Sequence, residues 1–184
     1  VKDVTIVPKA VVIHWTATRS LEGTWKGFNR VRLRARRRYI LRGGRVNVSA
    51  HFMVDRDGTI YRLMPETWMA RHCIGLNYDA IGIENLGGGR RWPLTRAQLA
   101  ANEALIRYLK KKYPIRYVVG HMEWKQFEHL PIFRERNPTY RNAKADPGRR
   151  FMRQVRARIV DLCLRNARGK RRCGCGDTVC RKKK

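Results

Sequence analysis

The sequence predicts a single α/β domain, with a mixed central β-sheet flanked by helices. Short runs of β-branched and apolar residues, typical of buried strands, alternate with segments of helical periodicity. The chain has 184 residues, enough for one domain with a real core but few for two. Hydrophobic residues make up 43%, which argues against disorder throughout. We predict a domain over residues 1–166 and a basic, disordered tail over residues 167–184.

The first strand is predicted at residues 11–13, where three apolar residues run into His14 and a polar Thr-Ala-Thr turn. A short helix is expected next, with Thr24 as its cap. Gly43 and Gly44 are expected to end the element that precedes them in the chain.

A β-hairpin is predicted from two runs rich in β-branched and aromatic residues, residues 46–54 and 59–64. Between them lies the sequence DRDG, and an Asp-Gly pair is a strong signal for a tight turn. A further strand is expected in the sequence AIGIENLG, residues 80–87, and is ended by Gly87, Gly88 and Gly89.

A long helix is predicted to begin at the cap Thr95 and to end before Pro114. Three lysines, residues 110–112, suit the negative end of its dipole. One face is expected to be apolar; its members are Ala97, Ala101, Leu105, Tyr108 and Leu109.

The next strand, YVVGH, ends in His121, as the first strand ends in His14. A final helix is expected to begin with Pro147 in its first turn. Its apolar face would carry Phe151, Val155, Ile159 and Leu162.

The composition is strongly basic: 42 Lys and Arg residues against 14 Asp and Glu residues give a net charge of +28. Arginine binds phosphate and carboxylate, so an anionic polymer is the expected partner. Envelope polymers and nucleic acid both fit, the latter through the arginine-rich segments 30–45 and 165–184. No apolar run approaches the length of a membrane span. Self-repulsion at this charge favours a monomer.

Five cysteines give no clear disulfide framework. Cys173, Cys175 and Cys180 crowd into the tail, with a spacing that matches no common zinc module. We therefore expect free thiols in a disordered tail.

The two strand-end histidines, His14 and His121, are candidates for chemistry together with Asp146. Neutral imidazoles and a carboxylate are ligands that zinc accepts, and three protein ligands leave a position open for hydrolysis. A structural hydrogen bond is the alternative for each histidine. For Asp146 the alternative is a helix cap before Pro147.

Five ordered motifs resemble the zinc-dependent N-acetylmuramoyl-L-alanine amidases, a superfamily that includes phage amidase-type lysozymes and peptidoglycan recognition proteins. The motifs are VVIHWTAT, VSAHFMVDRDGTIYRLMPETWMARHCIGLN, AIGIENLGG, VVGH and KADPGRRF. The resemblance spans about residues 11–160. It implies zinc-dependent hydrolysis of the amide between N-acetylmuramic acid and L-alanine, with His14, His121 and Asp146 as zinc ligands.

The resemblance also implies catalytic roles for two further residues. Glu84 would move the proton of the attacking water, and Lys144 would offset negative charge on the tetrahedral oxygen. His72 lies where relatives carry a histidine beside the substrate cleft, so it is a candidate for substrate binding. Some phage members have tyrosine at the position of Ala50, and this chain is expected to depend on Glu84 instead.

Two other functional hypotheses remain open. The fold could serve as a nucleic-acid-binding component of an assembly, or bind muropeptide without cutting it, although the full set of site residues argues against both. For the amidase, a peptidoglycan substrate predicts a location in the cell envelope, the periplasm or outside the cell. The printed sequence contains no signal peptide.

Overall fold

A five-stranded mixed β-sheet forms the centre of the computed structural model, which describes residues 4–35, 37–168, 170 and 173. The strands are β1 (Ala10–Trp15), β2 (Phe52–Val54), β3 (Ile60–Arg62), β4 (Ala80–Asn85) and β5 (Tyr117–Gly120). Their order across the sheet is β3-β2-β4-β1-β5. All neighbouring strands are parallel except β3, which pairs antiparallel with β2 at the edge. The predicted fold class is confirmed.

Four α-helices and two short 3-10 helices complete the described fold. They are α1 (Leu21–Phe28), α2 (Arg38–Leu41), α3 (Arg96–Lys112), α4 (Arg149–Arg158), and the 3-10 helices His121–Phe127 and Val160–Leu162. Within the described ranges, no helix is both long and apolar enough to cross a bilayer.

The inner strands of the sheet are buried on both faces, whereas the edge strand β3 is exposed. Successive side chains of β1 point to opposite faces of the sheet and join a different core cluster on each side. Val11 and Ile13 of β1 join a core cluster with α3 and α4. Ala10 and Val12 join a second cluster on the other face. Loops and the first 3-10 helix cover that second face, with Trp124 as the largest fully buried side chain.

The structure corrects two details of the predicted helices. Ser20 caps α1 by accepting a hydrogen bond from the Gly23 amide at 2.9 Å, whereas Thr24 lies inside the helix. Thr95 caps α3 as predicted. The buried face of α3 is rotated from the expected one, since Tyr108 is 46% exposed while Leu99 and Ile106 are buried.

The start of α4 also differs from the prediction. Pro147 precedes the helix, after a cis peptide bond, and Gly148 occupies the cap position with a φ of 84°. Asp146 is therefore not the helix cap, and its side chain contacts two histidines instead.

The cysteines are not all free thiols. Cys163, after α4, forms a disulfide with Cys173, while Cys73 is free and buried. Ala167, inside the predicted tail, is also buried. Cys175 and Cys180 lie outside the described residues, as does most of the tail.

A buried amide network joins α3 to three strands. Gln98 donates to the carbonyls of Val54 at 3.2 Å and Leu86 at 2.8 Å. Asn102 donates to the Asn85 side chain at 2.6 Å. The Asn85 amide in turn donates to the backbone carbonyl of His14 at 3.0 Å. The network thus supports the strand end that carries the first histidine.

Truncation of this network should destabilise the fold. Gln98→Ala leaves the Leu86 carbonyl without its side-chain donor, while the Val54 carbonyl keeps the Leu86 amide, and we expect the free energy of unfolding to fall by about 1–3 kcal/mol. Urea unfolding followed by circular dichroism measures this. Gln154→Ala, on the exposed side of α4, is the matched control and should change stability by less than about 0.5 kcal/mol. Equal losses in both variants would contradict the role of the network.

Candidate metal centre and catalytic cleft

Parallel strands bring three predicted site residues to one edge of the sheet. His14 lies near the carboxyl end of β1, and His121 follows directly after β5. Glu84 of β4 is the register partner of His14. Because β1, β4 and β5 run in the same direction, their carboxyl ends meet, and the side chains converge there.

His14, His121 and Asp146 form a tight triangle of ligand-type atoms. The two Nδ1 atoms are 2.8 Å apart. Asp146 Oδ2 lies 3.2 Å from Nδ1 of His14 and 2.9 Å from Nδ1 of His121. All three residues are buried. In a tetrahedron, ligand atoms about 2.0–2.1 Å from one zinc ion lie roughly 3.3 Å apart. The triangle therefore fits a metal ion after a small expansion.

The ionisation states also suit a metal. Burial, followed by the neighbouring His14, lowers the pKa of His121 to about 4, so this ring is neutral at pH 7. Burial opposes ionisation of Asp146, but hydrogen bonds with His121 and His14 outweigh it and hold its pKa well below the usual range. Neutral imidazole and ionised carboxylate are the forms that bind metals.

The loop that carries Asp146 is fixed to the strand end that carries His121. The Met122 amide donates to the Asp146 carbonyl at 2.8 Å. Arg156 of α4 donates to the Glu123 carboxylate at 2.9 Å, which ties the helix after Asp146 to the 3-10 helix that begins with His121. These contacts hold Asp146 and His121 in place relative to each other, although the two residues are not adjacent in the sequence.

Glu84 has the environment of a proton-transfer group. One carboxylate oxygen, Oε2, is buried without a hydrogen-bond partner within the described structure. Burial raises the pKa of Glu84 to about 7, although His14 nearby works against this increase. A carboxylate with this pKa can both accept and release a proton near neutral pH.

His72 has partners for both of its ring nitrogens. Nδ1 lies 3.1 Å from Nε2 of His14, and Nε2 lies 3.2 Å from the Ala80 carbonyl oxygen. The side chain also lines the cleft. The structure thus places His72 beside His14, on the side of the ring opposite the triangle.

A cleft of about 630 Å³ opens above the triangle, and its walls are strongly basic. Lys144 lines it together with Glu84. The arginine-rich segment forms another wall, through Arg30, Arg34 and Arg37. These side chains therefore surround the space next to the metal-type ligands.

The two remaining histidines, His51 and His129, make no hydrogen bond with the residues of the triangle within the described structure. His51 is buried, with Nε2 2.8 Å from the Trp68 carbonyl and Nδ1 accepting from the Gly82 amide at 2.9 Å. Burial lowers its pKa to about 4, so it is neutral and structural. His129 is exposed.

Comparison with known proteins agrees with this geometry. The family model of the N-acetylmuramoyl-L-alanine amidases matches residues 5–149. The chain belongs to this amidase family. A comparison with curated protein sequences finds no significant match.

Solved structures show the same fold. LysC, an N-acetylmuramoyl-L-alanine amidase from Clostridium intestinale, is 25% identical with a TM-score of 0.60, over 85% of this chain and 88% of that one. AmpD is 27% identical with a TM-score of 0.58, over 83% and 84%. Peptidoglycan recognition protein-LE, solved with tracheal cytotoxin, is 20% identical with a TM-score of 0.56, over 85% of each chain, and shows the fold alone.

Arg71 is a structural residue of the amidase that sequence reasoning missed. Its guanidinium donates to the carbonyls of Gly44 at 2.9 Å and Ile40 at 2.7 Å, and also to that of Val46. It thereby holds the arginine-rich wall against the body of the amidase. One arginine among so many carries no sequence signal of this role.

Proposed function

We propose that this amidase hydrolyses the amide between N-acetylmuramic acid and L-alanine in peptidoglycan or muropeptides, and that zinc is its metal. The buried triangle of His14, His121 and Asp146 carries the proposal, because it presents ligand atoms of the types that zinc binds, 2.8–3.2 Å apart. Zinc held there would polarise the amide carbonyl and lower the pKa of water. A substrate in the envelope also favours a location there, in the periplasm or outside the cell.

Glu84 and Lys144 supply the chemistry of the chain itself. Glu84 accepts a proton as water attacks the carbonyl carbon, and then returns it to the leaving amine of L-alanine. The Lys144 ammonium offsets negative charge on the carbonyl oxygen in the tetrahedral state. Both side chains line the cleft that holds the triangle, which supports these roles.

The basic wall of the cleft fits an anionic substrate. Arg30, Arg34 and Arg37 line the same space as the triangle, and the carboxylates of a stem peptide suit their guanidinium groups. Peptidoglycan recognition protein-LE, of the same fold, was solved with a monomeric peptidoglycan. Peptidoglycan is therefore the substrate we propose.

Product analysis tests this function. A purified muropeptide incubated with the zinc-loaded amidase should release its free stem peptide, detected by mass spectrometry. Chelation should abolish release, and added zinc should restore it. His121→Ala should lose both bound zinc and cleavage, whereas His129→Ala, at an exposed position, should retain both. A folded, zinc-loaded protein that releases no peptide would refute the proposal.

The pH profile tests Glu84. The base must be ionised; burial raises its pKa to about 7 in the metal-free site, and the charge of zinc works against this increase. We therefore expect kcat/KM to rise with pH through a titration point that lies above the ordinary glutamate value and no higher than about 7, and then to level off. A glutamate with an ordinary pKa would give a plateau from about pH 5–6. Glu84→Gln should lower kcat by about 100- to 10,000-fold with its zinc content unchanged.

Glu22→Gln is the matched control for Glu84→Gln, since Glu22 is exposed on α1. It should keep both the rate and the profile. A Glu84→Gln variant with full activity would contradict the role of Glu84.

We propose that His72 positions His14 rather than binding substrate. Burial holds the pKa of His72 well below its usual value, so the ring is neutral. A carbonyl only accepts, so the nitrogen facing Ala80 carries the hydrogen and Nδ1 is a bare acceptor. The nitrogen of His14 that faces His72 must then donate. When His14 donates through Nε2, its Nδ1 can bind a metal in place of its hydrogen bond with Asp146.

Zinc affinity distinguishes the two roles of His72. His72→Phe removes the acceptor for His14, and we expect the zinc dissociation constant to rise about 10- to 100-fold, measured by chelator competition. His72→Asn keeps an acceptor near Nδ1 and should recover part of the affinity. His129→Phe is the control. If His72→Phe raised KM for muropeptide while leaving zinc affinity unchanged, His72 would be a substrate contact.

A further inference from the structure

A second cavity, of about 540 Å³, lies on the other side of Trp15 from the catalytic cleft. Trp15 lines both cavities. Its indole sits against Gly88, where an added Cβ would come within 2.3 Å of the ring, and against Gly148, where it would come within 3.3 Å. Glycine at these positions leaves room for the indole between the two spaces.

The second cavity has an apolar floor and a basic rim. Leu94, Leu99 and Phe151 contribute to the floor with Trp15, and no acidic residue lines the cavity. The rim carries Arg90, Arg96, Arg149 and Arg150. All four arginines are exposed, and within the described ranges none is ion-paired with a carboxylate.

The four rim charges add to one another, because within the described residues no carboxylate pairs with them. Elsewhere on the fold, Arg107, Arg141 and Arg158 do pair with carboxylates. Helices α3 and α4 also begin at the second cavity, so the positive ends of their dipoles add to the arginine potential. The cavity is thus complementary to a ligand that carries several negative charges and an apolar face.

We propose that this cavity is a second binding site, for a phosphate-bearing glycan attached to the peptidoglycan substrate. Sugar rings present C–H faces that pack on aromatic and aliphatic side chains, and phosphates pair with guanidinium groups. Because Trp15 borders both cavities, a polymer joined to the substrate strand can occupy the second cavity while the cleft holds the stem peptide. The proposal rests on the proposed function for its choice of ligand.

The experiment compares two cell-wall preparations from one Gram-positive source. One retains its phosphate polymer, and the other has been stripped of it with hydrofluoric acid. Binding of the zinc-loaded full chain is measured by co-sedimentation at 150 mM NaCl, with every protein in the binding assay carrying Glu84→Gln so that the walls are not digested. Arg96→Gln/Arg149→Gln removes two rim charges. The control Arg116→Gln/Arg168→Gln removes two exposed charges near the amino end of β5.

We expect the wild type to bind intact walls at least about tenfold more tightly than stripped walls. The rim variant should lose most of that difference, whereas the control pair should keep it. On a soluble muropeptide without phosphate, the rim variant and the wild type should have equal kcat/KM. The muropeptide assay tests the proposed function separately from the second site. If the wild type proved inactive on muropeptide, the difference in binding between intact and stripped walls could still be measured.

Three results would overturn the second site. The two variants could weaken wall binding equally, which would mean that only net charge matters. The wild type could bind both preparations alike. Single-stranded DNA with the same number of phosphates could displace the protein from intact walls as well as the isolated wall polymer does, which would make the cavity a general polyanion site.

Discussion

The parallel alignment of β1, β4 and β5 is the constraint on which the site depends. It brings His14, Glu84 and His121 to one edge of the sheet. A shift of one residue in the pairing of β1 with β4 would turn the side chain of His14 to the opposite face. The buried amide of Asn85, which binds the His14 carbonyl at 3.0 Å, supports this register. The sheet therefore acts as the template for the metal-type ligands.

Charge is separated sharply between the interior and the surface. Inside, one ionised carboxylate, Asp146, faces the imidazole rings of two histidines, and burial raises the pKa of Glu84, the second carboxyl group, to about 7. Outside, arginines line both cavities beside Trp15. Neutral ligands and one anion suit a dication, whereas the outer arginines suit an anionic polymer. The two charge patterns fit a hydrolase that works on a charged wall.

Much of this was readable from the sequence, because local patterns specify the strands and the long helix. Strand ends at His14 and His121 follow from β-branched runs that stop at polar residues, and Thr95 signals its helix through its capping chemistry. Other features depend on tertiary contacts. No local sequence pattern indicates the Cys163–Cys173 disulfide or the hydrogen bonds of Arg71 to backbone carbonyls. The same is true of the hydrogen-bond contacts of both ring nitrogens of His72. The buried face of α3 differs from the predicted one because it includes amide side chains, which a prediction from apolar residues alone ignores.

The most direct test of the account is anomalous X-ray diffraction at the zinc edge, from crystals of the zinc-loaded protein. We predict one strong peak, from a zinc ion bound to Nδ1 of His14, Nδ1 of His121 and a carboxylate oxygen of Asp146, with Glu84 nearby but not bound to the metal. A peak held through Nε2 of His14 would contradict the tautomer assigned through His72. Absence of zinc from this triangle, with the metal bound elsewhere, would contradict the central claim.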